Sequence, residues 1–188
     1  SVALGHATAE DAVPVKGPVK VYILLGQSNM LGFGKVSPEA TRGTLENAVK
    51  VEKQYPNLID KDGNWVVRKD VRYVHVMQHK KTFRTLRNEW MTVGSAHVGP
   101  ELGIGHALGD YHDETVLVLK ACIGNRSLGW DYLPPGSERF ECRGKIHAGY
   151  RDVTGAWTRS ETPNTNWLSG AWYAGKQYDD CFGAAHEV

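Results

Sequence analysis

Two apolar runs of strand length dominate the pattern of hydrophobic and polar positions along the chain. The first, Lys20 to Leu25, is rich in β-branched and aromatic residues and ends at Gly26, and the second is Thr115 to Ile123. Runs of this length closed by turn formers are typical of buried parallel strands. Between them, Val98 to Tyr111 predicts a helix with Pro100 near its first turn. This order of elements favours an α/β fold with a parallel sheet.

Weaker patterns fill the rest of the chain. Asp62-Gly63 predicts a tight turn, with strands at Trp65 to Arg68 and Val71 to Met77. Tyr132 to Gly170 is rich in turn formers and predicts an irregular segment, whose tryptophans either stack on sugar rings or anchor loops. From Trp172 the spacing becomes helical. In the Val71 to Met77 strand, Tyr73, His75 and Met77 share one face and Val74 and Val76 the other, so His75 and His79 form no ligand clamp.

Composition fits one ordinary globular domain. The chain has 188 residues, of which 41% are hydrophobic and 23% charged. A net charge of +1 gives no electrostatic footprint for nucleic acid, and no apolar run reaches the roughly 20 residues of a membrane span. A neutral partner is therefore expected.

Residues 1–18 are interpreted as a leader or linker. Ala7-Thr8-Ala9 has the small-x-small form of a signal-peptide cleavage site, which would make the protein secreted or periplasmic. A plain leader explains the same composition. The three cysteines allow one disulfide at most, their spacing does not indicate zinc, and Cys122 is expected to be a small buried hydrophobe.

Candidate chemistry follows the first strand, at Gly26-Gln27-Ser28-Asn29-Met30. Reactive crevices of open α/β sheets lie outside the carboxyl ends of the strands, so Ser28 is a candidate nucleophile. Alternatively, Ser28 caps the helix that follows. A P-loop is excluded because Asn29 stands at its first glycine position and Val36 follows the lysine, and the Gly-x-Ser-x-Gly elbow because Met30 replaces its second glycine.

The second strand also ends in a polar turn, beginning Gly124-Asn125-Arg126. Parallel strands deliver both turns to one sheet edge, where Gly124 or Asn125 could donate an N–H to an oxyanion formed at Ser28. Ordinary turn chemistry is the alternative. Glu101 is either a helix-terminal charge or a buried group that orients the site.

Three stretches carry a resemblance to the SGNH-hydrolase superfamily, and within it to the sialate O-acetylesterase-like carbohydrate acetylesterases. They are Gly26 to Met30, Gly99-Pro100-Glu101, and Lys120 to Ser137, in the family's order. The resemblance implies a three-layer α/β/α flavodoxin-like fold with a parallel sheet, of which residues 19–188 form the N-terminal portion. It implies no cofactor and no metal.

The same resemblance assigns roles at the site. It implies that Ser28 is the nucleophile of a serine esterase that removes acetyl groups from carbohydrate through an acyl-enzyme, with its own N–H as one oxyanion donor. Gly124 and Asn125 correspond to a block that is usually Gly-Gly, so which N–H serves is open. Glu101 is expected to orient the site. The expected substrate-binding residues are Gln27, Arg126 and Trp130.

The family's C-terminal Asp-x-x-His block has no counterpart here, since Gly183 stands three residues before His186. We therefore expect a further C-terminal segment to complete the sheet and supply the base and its acid. The alternative is a carbohydrate-binding or assembly fragment without catalysis.

Overall fold

A computed structural model of the chain describes residues 17–37, 39–79, 82–94, 96–161 and 172–186. The leader motif Ala7-Thr8-Ala9 and the predicted loop residue Trp167 lie outside these ranges.

The described elements comprise nine strands and four α-helices. In chain order they are β1 (Val19–Gly26), α1 (Ser28–Leu31), β2 (Gly34–Lys35), β3 (Arg68–His79), β4 (Thr82–Met91), β5 (His97–Val98), α2 (Glu101–Tyr111), β6 (Thr115–Cys122), α3 (Leu128–Asp131), β7 (Phe140–Cys142), β8 (Lys145–His147), β9 (Ala156–Trp157) and α4 (Lys176–His186). A π-helical turn at Asn47–Val51 and a 3-10 turn at Pro56–Leu58 lie between β2 and β3.

The main sheet has the strand order β1-β6-β3-β4. Strands β1 and β3 both run parallel to β6, while β4 pairs antiparallel with β3 at the edge. The predicted α/β class is therefore confirmed, and β1, β6 and β3 are parallel as expected, whereas the edge strand β4 is antiparallel. The sequence predictions for β1, α2 and β6 are confirmed to within a few residues, whereas β4 had no prediction.

Successive strand residues point to opposite sides of the sheet, so each face carries its own apolar cluster. Helices cover both faces. On one face, Val71, Tyr73, Val116 and Val118 form a buried cluster with Leu102 of α2. Burying each such apolar side chain contributes about 1.5–3 kcal/mol.

The opposite face carries Val74, Val76, Leu119 and Ala121, which pack against Cys181 and Ala184 of α4. The predicted alternation of Tyr73 and His75 against Val74 and Val76 is thus confirmed. None of the helices among the described residues is long and apolar enough to cross a lipid bilayer.

Three local predictions need correction. The segment predicted as irregular from Tyr132 contains the small antiparallel sheet β7-β8-β9, which covers a third cluster of Ala148, Trp157 and Ala174. Trp65 makes only an isolated bridge to Ile59, and the strand proper begins at Arg68. The last helix begins at Lys176 rather than Trp172. Strands β7, β8 and β9 are too short to show a recognisable alternating pattern.

Two glycines allow the segment after α1 to lie directly against the segment before α2. Strand β2 pairs with β5, and Gly32 has the left-handed φ of +85°. A Cβ at Gly32 would lie 2.5 Å from Gly99 Cα, and a Cβ at Gly99 would lie 2.3 Å from Glu101 Oε2. Both distances are shorter than any van der Waals contact, so larger residues cannot occupy either position without movement.

We expect Gly99→Ala to lower the free energy of unfolding by about 1–3 kcal/mol, because the added methyl group overpacks the Gly32 and Glu101 contacts. Gly103→Ala is the matched control, since a Cβ there meets nothing within 4 Å and helix propensity favours alanine by up to about 1 kcal/mol. Urea denaturation of both variants measures the difference. Equal stability of the two variants would contradict the close packing described here.

Candidate functional site

Ser28 lies directly beyond the carboxyl end of β1. The strand ends at Gly26, Gln27 occupies the N-cap position, and Ser28 is the first residue of the single-turn helix α1. The Ser28 Oγ donates a hydrogen bond of 2.6 Å to Gln27 Oε1 and does not cap the helix backbone. The capping alternative is therefore wrong, and the half-buried Ser28 hydroxyl is held by a neighbouring amide.

The turn into α1 is tight. A Cβ at Gly26 would lie 2.6 Å from Met30 Cβ, so the absence of a side chain lets the helix fold back over the strand end. On the other side of the turn, the Tyr132 hydroxyl donates a hydrogen bond to the Gly26 carbonyl. Tyr132 therefore ties the loop after β6 to the residue that precedes Gln27, a contact that the sequence did not predict.

The Gly124-Asn125 turn lies beside α1. Gly26 and Cys122 are register partners at the ends of the parallel strands β1 and β6. A Cβ at Gly124 would lie 3.5 Å from Leu31 Cδ1 of α1, and Asn125 is exposed with a left-handed φ of +58°. The prediction that the two polar turns meet at one edge of the sheet is confirmed.

Arg126 braces this turn from outside. Its Nη1 donates a 3.1 Å hydrogen bond to the Asn125 carbonyl, and its guanidinium carbon lies 3.7 Å from the ring centroid of Trp172. The Trp172 indole N–H donates in turn to Asp131 Oδ1 at 2.5 Å, and the Ser127 N–H donates to Asp131 Oδ2 at 2.6 Å. The buried Asp131 carboxylate thus fixes the start of α3 and the Trp172 ring on which Arg126 stacks.

Trp130 packs against a different group of residues. Its side chain is partly buried against the cluster of Ala148, Trp157 and Ala174, and its carbonyl accepts a 2.7 Å hydrogen bond from the Gly175 N–H. These contacts give Trp130 an anchoring function for the loops. The substrate contacts assigned to Gln27, Arg126 and Trp130 stay predictions.

Glu101 is buried at the start of α2 and faces the sheet, so it is more than a solvated helix-terminal charge. It is 6% exposed, its Oε1 accepts a 3.2 Å hydrogen bond from the Gly99 N–H, and its Oε2 lies 3.0 Å from Lys120 Nζ. The Oε2 contact is an ion pair without good hydrogen-bond angles. Lys120 Nζ also donates to the Leu31 carbonyl at 2.9 Å. Glu101 is therefore linked to α1 through one intervening side chain.

Sequence reasoning singled out Glu101 but missed Lys120, Asp131 and Tyr132. For Lys120 a signal was present, since it is the one charged residue in the apolar run Thr115 to Ile123. A lysine in such a run needs a buried partner. The partners of Asp131 and Tyr132 are far away in sequence, and no local pattern identifies them.

His75 and Cys122 form a second buried pair on the same face of the sheet. The Cys122 Sγ lies 3.9 Å from His75 Nε2. Burial, reinforced by Lys120 and Arg87, lowers the pKa of His75 to about 4, and burial raises the pKa of Cys122 to about 12. At neutral pH the pair is a neutral imidazole beside a thiol, which makes Cys122 unreactive.

The described residues contain no base in contact with Ser28, and its hydroxyl bonds within them only to Gln27. Nor do they contain a group of three or more His, Cys, Asp or Glu side chains that could hold a metal ion. The arrangement therefore offers a hydroxyl and backbone N–H groups at one sheet edge, with buried charges behind them.

Comparison of the chain with protein-family models, with curated proteins and with solved structures gives no significant match.

We expect stability to fall as the pH is lowered from about 6.5 to about 4. The folded protein keeps His75 neutral because its pKa is depressed to about 4, whereas the unfolded chain takes up a proton near its ordinary value of 6.5. The unfolded state therefore binds more protons than the folded state in this window. Through His75 alone, the free energy of unfolding should fall by on the order of 3 kcal/mol. Denaturant titration at several pH values measures it.

His75→Phe should remove most of this slope while keeping the ring that stacks on Tyr73. Part of the slope should remain, because burial also lowers the pKa of His106. A His75→Phe variant with an unchanged slope would contradict the assignment.

Proposed function

We propose that the chain belongs to a serine esterase that removes O-acetyl groups from carbohydrate through an acyl-enzyme intermediate. The observation that carries the proposal is the position of Ser28 directly beyond the carboxyl end of β1, on the short helix α1 whose Leu31 contacts the Gly124-Asn125 turn after β6. A nucleophile and oxyanion donors must meet at one point for acyl transfer. The SGNH-type three-layer fold, with residues 19–188 as its N-terminal portion, is part of this proposal.

In the proposed reaction, Ser28 Oγ attacks the acetyl carbonyl carbon and its proton passes to a general base. The N–H groups of Ser28 and of Gly124 or Asn125 stabilise the oxyanion. The base gives the proton to the sugar oxygen, which leaves as a hydroxyl group, and water then hydrolyses the acetyl-enzyme. The Gln27 amide oxygen accepts a hydrogen bond from Ser28 but is too weakly basic to take its proton. The base must therefore come from outside the described contacts of Ser28.

The proposed substrate is an uncharged acetylated sugar. The chain has a net charge of +1, so its overall charge does not favour an anionic substrate. In the proposal, Gln27 contacts the substrate and Arg126 lines the site, while Trp130 acts indirectly by anchoring the loops around it. No metal or organic cofactor takes part. Secretion or export to the periplasm would bring the enzyme to such a substrate.

A non-catalytic carbohydrate-binding or assembly fragment is the second candidate. One observation favours it: within the described ranges, Ser28 Oγ has an amide rather than a base as its partner. Such a protein would bind glycans but release no acetate.

We expect Ser28→Ala in the full-length protein to reduce hydrolysis of an acetylated sugar by at least about 1,000-fold, because the acyl-accepting oxygen is lost. Ser160→Ala is the control, since Ser160 is an exposed turn residue whose hydroxyl contacts Thr158 and no predicted site residue. Acetate release measures both variants. Wild-type turnover in Ser28→Ala would refute the esterase proposal, and glycan binding without turnover by the wild-type protein would favour the second candidate.

Asn125→Gly should leave hydrolysis within a few-fold of wild type. Glycine adopts the left-handed φ of +58° without strain and keeps the backbone N–H, and the exposed Asn125 side chain is lost. Asn125→Val should reduce kcat, because a β-branched residue disfavours this φ and distorts the turn. A loss of about 100-fold or more in Asn125→Gly would instead identify the side-chain amide as an oxyanion donor.

A further inference from the structure

Lys120 is the most deeply buried charged side chain among the described residues, with 1% exposure. It lies between Leu119 and Ala121 near the end of β6, and both neighbours point to the α4 face. A buried ammonium is costly and is retained only when partners compensate for the lost water. The contacts of Lys120 therefore require an explanation.

Its ammonium group joins three elements. Nζ donates to the Leu31 carbonyl at 2.9 Å, lies 3.0 Å from Glu101 Oε2, and lies 5.9 Å from the ring centroid of Tyr73 on β3. Leu31 is the last residue of α1 and is 89 positions away in sequence. Lys120 thus connects the main sheet and α2 to the helix that carries Ser28.

Helix α1 depends on outside contacts because it is a single turn. Its closing backbone hydrogen bonds run from Leu31 N–H to Gln27 O and from Gly32 N–H to Ser28 O. One turn is far shorter than the length at which helices are stable in water. The Leu31 carbonyl is one of the terminal carbonyls without a partner in the helix, and Lys120 supplies its donor.

We infer that Lys120 is the positioning residue of the site: it fixes the α1 turn, and with it Ser28, to the sheet, and Glu101 is the counter-ion that holds Lys120 in place. The catalytic consequence rests on the proposed esterase function, whereas the structural one does not. Tyr132 holds only the entry to the turn, at Gly26.

The test uses Lys120→Met and the double variant Lys120→Met/Glu101→Leu in the full-length protein. The double variant replaces both charges with apolar groups of similar size and avoids leaving Glu101 buried alone, so it should recover part of the thermal stability that Lys120→Met loses. Lys20→Met is the matched control, because Lys20 lies on β1 with a side-chain exposure of 45% and pairs with Glu114 at the surface.

Two measurements separate positioning from simple stability. Hydrogen exchange of the Leu31 and Gly32 amides should become at least about 10-fold faster in the double variant and stay unchanged in Lys20→Met. In the esterase assay, kcat of the double variant should fall about 10- to 100-fold, while KM stays within about 3-fold of the wild-type value. Ser28 is displaced in this variant, but the residues proposed to contact the substrate are unchanged.

A double variant that recovers thermal stability together with wild-type exchange at Leu31 and Gly32 would overturn the inference. Faster exchange in a protein that shows no Ser28-dependent hydrolysis would support the positioning function of Lys120 while refuting the esterase proposal. Faster exchange with unchanged kcat would overturn the catalytic part.

Discussion

The candidate site depends first on the parallel pairing of β1 with β6. Because Gly26 and Cys122 are register partners, the strands β1 and β6 both end at the same edge of the sheet and run in the same direction. A shift of one residue would turn Tyr22 and Leu24 away from the cluster they pack against and would move Ser28 relative to the second turn. Core packing and site geometry are thus fixed by one register.

Polar groups buried near this edge serve the turns more than the core. Lys120 bonds the Leu31 carbonyl, Asp131 accepts the Ser127 N–H, and Tyr132 bonds the Gly26 carbonyl. Each side chain thereby supplies a backbone group of an irregular segment with a partner that regular structure would otherwise provide. Apolar residues at these positions would leave those backbone groups unpaired. Buried polar side chains here therefore favour one conformation of the turns over alternatives, at a cost in desolvation.

Local sequence patterns were sufficient for the parts of the fold whose information is local. Apolar runs predicted β1 and β6, and Pro100 with the following pattern predicted α2, so the sequence alone predicted that the two turns meet. The Lys120 to Leu31 contact could not be predicted, because the two residues are 89 positions apart in sequence. Strand β4 pairs with its neighbour β3, but its charged residues interrupt any apolar alternation, so the pattern gave no signal for it. The chemical part of the site was predictable as residue types and not as geometry: Glu101 was identified, but its partner was not.

The hydrogen bond from Ser28 to Gln27 limits how the site can act. A hydroxyl has one proton to donate, and here it points to the Gln27 amide oxygen at 2.6 Å. A base that removes this proton must first replace that oxygen as the acceptor. Displaced from Ser28, the Gln27 amide becomes free to bind a sugar hydroxyl or carbonyl, which is the contact proposed for it. The proposed activation of Ser28 and the proposed binding of substrate by Gln27 are therefore one coupled change.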